Sequence, residues 1–172
     1  AGAPSFDPNS YNTAEDLGVF LNRVVQASYE LGSVMKPITM AAGINEKVVT
    51  LDTTYNDTGE VRIRGSTVRN FDNQGHGIQT MAGVLEKSLN TGAVFVEQKL
   101  GQDKMLLYLK TFGFGEKTGI DLPGEIAGNI SNLDNRRDID FATAAFGQGI
   151  AVTPLQMAMA LATIANGGNL MK

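Results

Sequence analysis

Apolar side chains recur every three or four residues along most of the chain, which is the period of an α-helix. Together with their end signals, these patterns predict helices over residues 14–27, 33–43, 81–87, 91–100, 103–112 and 154–165. The last has the clearest signals, because Thr153 can cap it, Pro154 suits its first turn and Gly167 follows its end. Helix therefore dominates the predicted structure.

A strand-like alternation is confined to residues 48–70. There Val61 and Ile63 alternate with arginines after the turn sequence N-D-T-G, which predicts a short β-hairpin. We find no set of strands able to form a large sheet. The pattern thus predicts a mainly α chain with one small hairpin.

The composition is that of a globular domain, with 42% hydrophobic and 19% charged residues in a chain of 172. The net charge is −4 and the basic residues are scattered, which argues against nucleic-acid binding. The chain has no cysteine and a single histidine, His76. Disulfides and metal sites built on cysteine or several histidines are therefore excluded.

Both ends of the chain are abrupt. It begins in a stretch rich in proline, asparagine and serine, and it stops soon after the last predicted helix. No signal-peptide pattern opens it, and no apolar run reaches the roughly 20 residues that span a bilayer. We therefore expect a piece of a longer protein, with any membrane anchor outside this segment.

The segment Y-E-L-G-S-V-M-K-P, residues 29–37, places Ser33 and Lys36 on one face at the start of a predicted helix. Pro37 is tolerated there, because the first N–H groups of a helix have no intrahelical partner. A lysine whose pKa is lowered by burial can take the serine proton and create a nucleophile. The alternative is a surface serine beside a solvated lysine, since S-x-x-K also occurs by chance.

The segment L-E-K-S-L-N, residues 85–90, joins two predicted helices. Ser88 and Asn90 are alternate residues, so a turn can present both to one side. A hydroxyl can relay a proton, and a carboxamide can hold both a lysine and a substrate amide. The alternative is a simple connection with Asn90 as a helix cap.

Together the two segments resemble the Y-E-P-G-S-x-x-K-P and S-x-N motifs of penicillin-binding proteins, at a spacing typical of that family. Three further segments agree in order, namely P-S-F-D-P-N-S-Y at 4–11, F-G-F-G-E-K-T-G-I-D-L-P-G-E at 112–125 and F-G-Q-G-I-A-V-T-P-L-Q-M-A-M-A-L-A-T-I-A-N-G-G at 146–168. The chain is similar to the class B, monofunctional transpeptidases rather than to class A β-lactamases, which lack G-I-D-L-P-G-E. Leu31, where the family commonly has proline, is a departure expected to affect only the entry to the helix.

The resemblance implies a fold for the segment. Residues 1–172 would be a partial transpeptidase domain, namely the helical subdomain of the α+β fold shared by penicillin-binding proteins and β-lactamases. The five-stranded sheet of that fold would be largely absent from this segment.

The resemblance also implies a mechanism. Ser33 would attack the penultimate D-alanine carbonyl of a peptidoglycan stem peptide ending in D-Ala-D-Ala, with Lys36 as general base and the Ser33 N–H as one oxyanion donor. Ser88 would relay the proton to the leaving amine, and Asn90 would orient Lys36 and the substrate amide. An amine of a neighbouring stem peptide would then take the acyl group, whereas β-lactams would leave Ser33 acylated. No metal or cofactor is expected.

The family has a third motif, K-T-G on a strand. This chain contains K-T-G at residues 117–119, but it follows a helix and a G-F-G turn and shows no strand-like alternation. We therefore expect Lys117 to lie in a loop away from the site. The family's own third motif, and the second oxyanion donor after it, would lie beyond this segment.

The segment alone is therefore expected to be inactive, with the remaining part of the domain as its first partner and other cell-wall synthesis proteins as further partners. The parent protein would act in cell division or cell shape on the outer face of the bacterial cytoplasmic membrane. The alternative is a catalytically silent scaffold that acts by partner binding. The presence of Ser33, Lys36, Ser88 and Asn90 argues against that alternative.

Overall fold

The computed structural model describes residues 5–171. Its α-helices are α1 (Arg23–Gln26), α2 (Lys36–Asn45), α3 (Met81–Glu86), α4 (Asn90–Leu100), α5 (Gln102–Thr111), α6 (Asp138–Ala144) and α7 (Pro154–Ala165). Short 3-10 helices cover Pro8–Thr13, Leu17–Phe20, Gly32–Met35 and Ser131–Asn135. The strands are β1 (Tyr29–Glu30), β2 (Thr54–Asp57), β3 (Glu60–Ile63), β4 (Ser66–Arg69), β5 (Gly77–Thr80) and β6 (Ala151–Val152). The predicted mainly α architecture is confirmed.

The strands form three separate antiparallel pairs, β1 with β6, β2 with β5 and β3 with β4. The predicted hairpin is the β3–β4 pair, and its turn is Arg64–Gly65, where both residues have positive φ, 44° and 91°. Such a turn matches the twist of the strands it joins. N-D-T-G contains the end of β2 and its connection to β3, and β2 itself pairs with β5.

The core lies where α2 crosses α4. A Cβ on Gly43 would lie 2.6 Å from a methyl group of Val96, so only glycine allows the two helices to approach this closely. Ile38 of α2 is 1% exposed at this crossing, and burying a side chain of that size stabilises the fold by about 1.5–3 kcal/mol. A second apolar cluster fixes α3 beside them, formed by Met40, Val49, Met81, Val84, Leu89 and Val96.

The helix predicted over residues 14–27 is wrong. The structure has the 3-10 helix Leu17–Phe20 and the short α1 there, separated by extended residues. The Asp16 side chain accepts the Gly18 N–H at 2.7 Å, and Asn22 accepts the Val24 N–H at 3.2 Å. These local bonds to the backbone compete with a continuous helix.

The capped helices are confirmed. Thr80 accepts the Gly83 N–H at 3.1 Å and so begins α3. At α7 the Thr153 hydroxyl accepts the Gln156 N–H at 3.2 Å, and the Gln156 side chain accepts the Thr153 N–H at 2.8 Å. This reciprocal capping box satisfies two backbone groups that lack helical partners. Within residues 5–171, no helix is both long and apolar enough to cross a membrane.

Candidate active site

Ser33 lies in the first turn of the 3-10 helix Gly32–Met35, which leads directly into α2. Gly32 has φ 57°, and its N–H donates to the Gly147 carbonyl oxygen at 2.9 Å. A Cβ on Gly147 would lie 2.3 Å from the Gly32 oxygen, so a side chain cannot be accommodated there. The backbone of the F-G-Q-G segment therefore supports the turn that presents Ser33.

Lys36 is the first residue of α2 and is only 3% exposed. Its Nζ lies 3.0 Å from the Ser33 Oγ, one helical turn earlier. The same Nζ lies 2.9 Å from the Ser88 Oγ and 2.5 Å from the Ser88 carbonyl oxygen. The structure therefore brings together three of the residues predicted from sequence.

Ser88 owes its position to the way α3 ends. Its N–H donates to Leu85 at 3.3 Å, and the Leu89 N–H reaches back to Val84 at 3.0 Å. These are the two bonds of a Schellman motif, which places Ser88 in the left-handed region with φ 56°. The left-handed turn lets both the hydroxyl and the carbonyl of Ser88 contact the Lys36 amine.

The environment of Lys36 shifts its titration toward the neutral form. Burial lowers the pKa of Lys36 from its ordinary value of 10.5 to about 8, because the charged form loses hydration. No carboxylate within residues 5–171 forms a salt bridge with it. A neutral amine has two N–H donors and one lone pair. It can donate to both oxygens of Ser88 and still accept the Ser33 proton.

A cavity of about 450 Å³ opens over these groups. Its lining consists of Gly32, Ser33, Asn70, Phe71, Asp72, Lys87, Ser88, Leu89, Asn90, Phe146 and Gln148. Ser33, Ser88 and Asn90 thus share one concave site, with the Lys36 amine bonded to both hydroxyls. An activated serine in a cavity of this size can perform acyl transfer on a bound peptide.

Comparison with known families decides the identity of this arrangement. The whole sequence, residues 1–172, matches the penicillin binding protein transpeptidase domain. The chain belongs to this transpeptidase family. The expectation of a class B member is confirmed as well.

Among named relatives, the transpeptidase segment is 41% identical over 169 residues to stage V sporulation protein D of Bacillus subtilis. That alignment covers 97% of the chain and 26% of the relative. It is 32% identical over 168 residues to peptidoglycan D,D-transpeptidase FtsI of Escherichia coli, covering 98% and 28%. The chain therefore spans about a quarter of the length of these relatives.

Solved structures agree with the transpeptidase assignment. The apo transpeptidase domain of Burkholderia pseudomallei penicillin-binding protein 3 superposes with a TM-score of 0.82 at 32% identity, over 87% of this chain and 45% of that one. Penicillin-binding protein 3 of Mycobacterium tuberculosis in complex with aztreonam gives 0.79 at 34% identity, over 86% and 33%. The fold is thus shared with proteins of the same family.

One contact expected for the transpeptidase site is not formed. The Asn90 amide donates to the Arg69 carbonyl oxygen at 2.8 Å, and the hydrogen bonds found within residues 5–171 include none from Asn90 to Lys36. The Lys36 amine donates to the Ser88 carbonyl oxygen instead. The expected orientation of Lys36 by Asn90 thus has no direct hydrogen bond behind it here, and both this role and the contact with a substrate amide stay predictions.

Lys117 lies outside the transpeptidase cavity. It is exposed in the loop between α5 and α6, and it does not line the cavity that contains Ser33. Glu125 shapes this loop by accepting the Thr118 N–H at 2.7 Å and the Gly119 N–H at 3.1 Å. The expected loop is present, and the non-catalytic role of Lys117 stays a prediction.

Sequence reasoning missed three parts of the site. They are the Ser88 carbonyl, the Gly147 contact with Gly32, and Phe71, which is 97% exposed at the cavity. The two glycines of F-G-Q-G were a usable signal, since glycine often marks close backbone approach. A backbone carbonyl leaves no mark in the sequence.

Proposed function

We infer that this chain is the nucleophile-bearing part of a peptidoglycan D,D-transpeptidase that cross-links cell walls through an acyl-serine intermediate. A single observation carries the proposal. The Nζ of Lys36 lies within 3.0 Å of the hydroxyls of both Ser33 and Ser88. A single amine can therefore receive a proton from one hydroxyl and return it through the other.

The proposed reaction follows from those distances. Neutral Lys36 takes the Ser33 proton as the serine oxygen attacks the penultimate D-alanine carbonyl. The proton then passes through the Ser88 hydroxyl to the amine of the departing D-alanine. An amine of a second stem peptide then attacks the ester. The bond to the Ser33 oxygen breaks, and the amine proton returns to that oxygen through Ser88 and Lys36.

The Ser33 N–H is proposed as one oxyanion donor. It belongs to the first turn of a helix, where N–H groups lack intrahelical partners. A β-lactam would enter the same cavity and acylate the same oxygen. The names of the relatives, which are penicillin-binding proteins and peptidoglycan D,D-transpeptidases, support this substrate class and a place of action outside the cytoplasm.

The test is covalent labelling of the complete protein with a fluorescent penicillin, followed by mass spectrometry of the labelled peptide. We expect a single adduct on Ser33 and none in Ser33→Ala. Ser66→Ala is the matched control, because Ser66 is an exposed serine on β4 outside the cavity. A label on another serine would reject the nucleophile, and no label on the wild-type protein would favour the silent scaffold.

A further inference from the structure

A buried carboxylate is hydrogen-bonded to Asn70, a residue of the cavity lining. Asp57 at the end of β2 is 2% exposed, and the salt bridges found within residues 5–171 do not include it. It accepts hydrogen bonds from the Gly59 N–H at 3.0 Å and the His76 N–H at 3.2 Å. It also accepts the Asn70 amide at 2.8 Å and the Thr91 hydroxyl at 2.8 Å. A carboxylate has enough lone pairs for all of these donors.

Asn70 links this hydrogen-bond network to the start of α4. Its side-chain oxygen accepts the Thr91 N–H at 3.2 Å, while its amide also donates to the Gln74 carbonyl at 3.1 Å. Thr91 gives its hydroxyl proton to Asp57, so the Tyr55 hydroxyl, 3.1 Å away, must be the donor of the bond between them. Asn70 and Thr91 are 3% and 1% exposed. Buried polar groups that are fully paired in this way specify one geometry.

The network ends beside two groups of the active site. Thr91 directly follows Asn90, and Asn70 directly follows Arg69, whose carbonyl accepts the Asn90 amide at 2.8 Å. Asn70 also lines the cavity together with Ser33. Movement of the Asp57 contacts would therefore move the Asn90 carboxamide and one wall of the cavity together.

We propose that Asp57 is a positioning residue that acts through Asn70 and Thr91 to fix the Asn90 carboxamide relative to Ser33. The inference rests on the proposed function, because this positioning has a kinetic consequence only where Ser33 is acylated. A carboxamide at position 57 would keep the size of the side chain. It would turn an NH₂ group toward hydrogen-bond donors, which leaves buried polar groups unpaired.

The test substitutes Asp57→Asn in the complete protein. We expect the second-order rate constant of penicillin acylation to fall by about tenfold or more, with an unchanged circular dichroism spectrum. Asp52→Asn is the matched control, because this substitution makes the same chemical change at an exposed position nearby in the sequence. Equal rates in Asp57→Asn and wild type would overturn the inference while leaving the proposed function intact. No acylation of the wild type would overturn both.

A double-mutant cycle separates positioning from a general loss of stability. If Asp57 acts through Asn90, adding Asp57→Asn to the Asn90→Ala variant should lower its acylation rate by no more than about twofold. The carboxamide that Asp57 positions is already absent from that variant. Fully additive effects would overturn the inference. This readout does not depend on the melting temperature of either variant.

A pair of variants at Thr91 decides the matter if Asp57→Asn does not fold. Thr91→Ser keeps the hydroxyl that bonds to Asp57, whereas Thr91→Val keeps the shape and removes it. We expect the serine variant to retain the acylation rate and the valine variant to lose about tenfold. Equal rates in these two variants would overturn the proposal.

Discussion

The acylation rate should follow the protonation of Lys36. Only the neutral amine can accept the Ser33 proton, and burial lowers the pKa of this lysine to about 8. The neutral fraction is then about 0.01 at pH 6, about 0.1 at pH 7 and about 0.9 at pH 9. The second-order rate constant of acylation should therefore rise roughly 90-fold between pH 6 and pH 9 and then level off.

The assay is stopped-flow acylation by a chromogenic β-lactam at pH 6 to 9.5, corrected for spontaneous hydrolysis in buffer. A lysine with its ordinary pKa of 10.5 would give a rate that still rises steeply at pH 9. Continued rise without a plateau would therefore refute the reasoning, as would a flat profile. Lys117→Ala is the control, and its profile should match the wild type.

The cause of the lowered Lys36 pKa can be tested separately. Burial lowers this pKa, and within residues 5–171 no salt bridge to Lys36 contributes. Salt screens interactions between charges but does not restore water to a buried amine. The midpoint of the profile should therefore stay in place between about 0.05 and about 0.5 M salt, where the Debye length falls severalfold. A midpoint that moves toward 10.5 would point to a charged neighbour instead.

Three further substitutions test other parts of the site. Ser88→Ala should slow acylation about a hundredfold, because it removes the proton relay, with intact-mass measurement of the adduct as the readout. Lys117→Ala should leave the acylation rate at pH 8 unchanged, and a fall of about a hundredfold would mean that this lysine is catalytic. Gly147→Ala should lower stability by about 1–3 kcal/mol and slow acylation, since its Cβ would collide with Gly32. Gly167→Ala is the control, because Gly167 has a φ similar to that of Gly147 but no atom lies within 4 Å of its added Cβ. Its loss of stability in thermal unfolding therefore measures the backbone strain without the collision.

The helices with strong end signals could be predicted from the sequence. Caps such as Thr80 and Thr153 act within one turn, so local sequence determines them. The segment 14–27 failed because side chains of Asp16 and Asn22 bond to the nearby backbone. The pairing of β2 with β5 spans a long loop, and no local pattern reports it.

The candidate site likewise has parts that local sequence predicts and parts that depend on distant contacts. Helical periodicity alone places Ser33 beside Lys36. The contact between Lys36 and Ser88 joins residues 52 positions apart, and only the resemblance to a family suggested it. The role of the Ser88 carbonyl depends on one left-handed residue, which periodicity does not report. The inactivity of the isolated segment and its boundaries as a partial domain remain predictions.

The left-handed backbone of Ser88 lowers the stability of the helix end, whereas its side chain contributes to the candidate site. A non-glycine residue in this region costs about 1–2 kcal/mol, and glycine would adopt the same φ of 56° with little strain. Ser88→Gly would therefore relieve this backbone strain, but it would also remove the hydroxyl that lies 2.9 Å from the buried Lys36 amine. The end of α3 therefore carries backbone strain at the residue whose hydroxyl and carbonyl both contact the Lys36 amine.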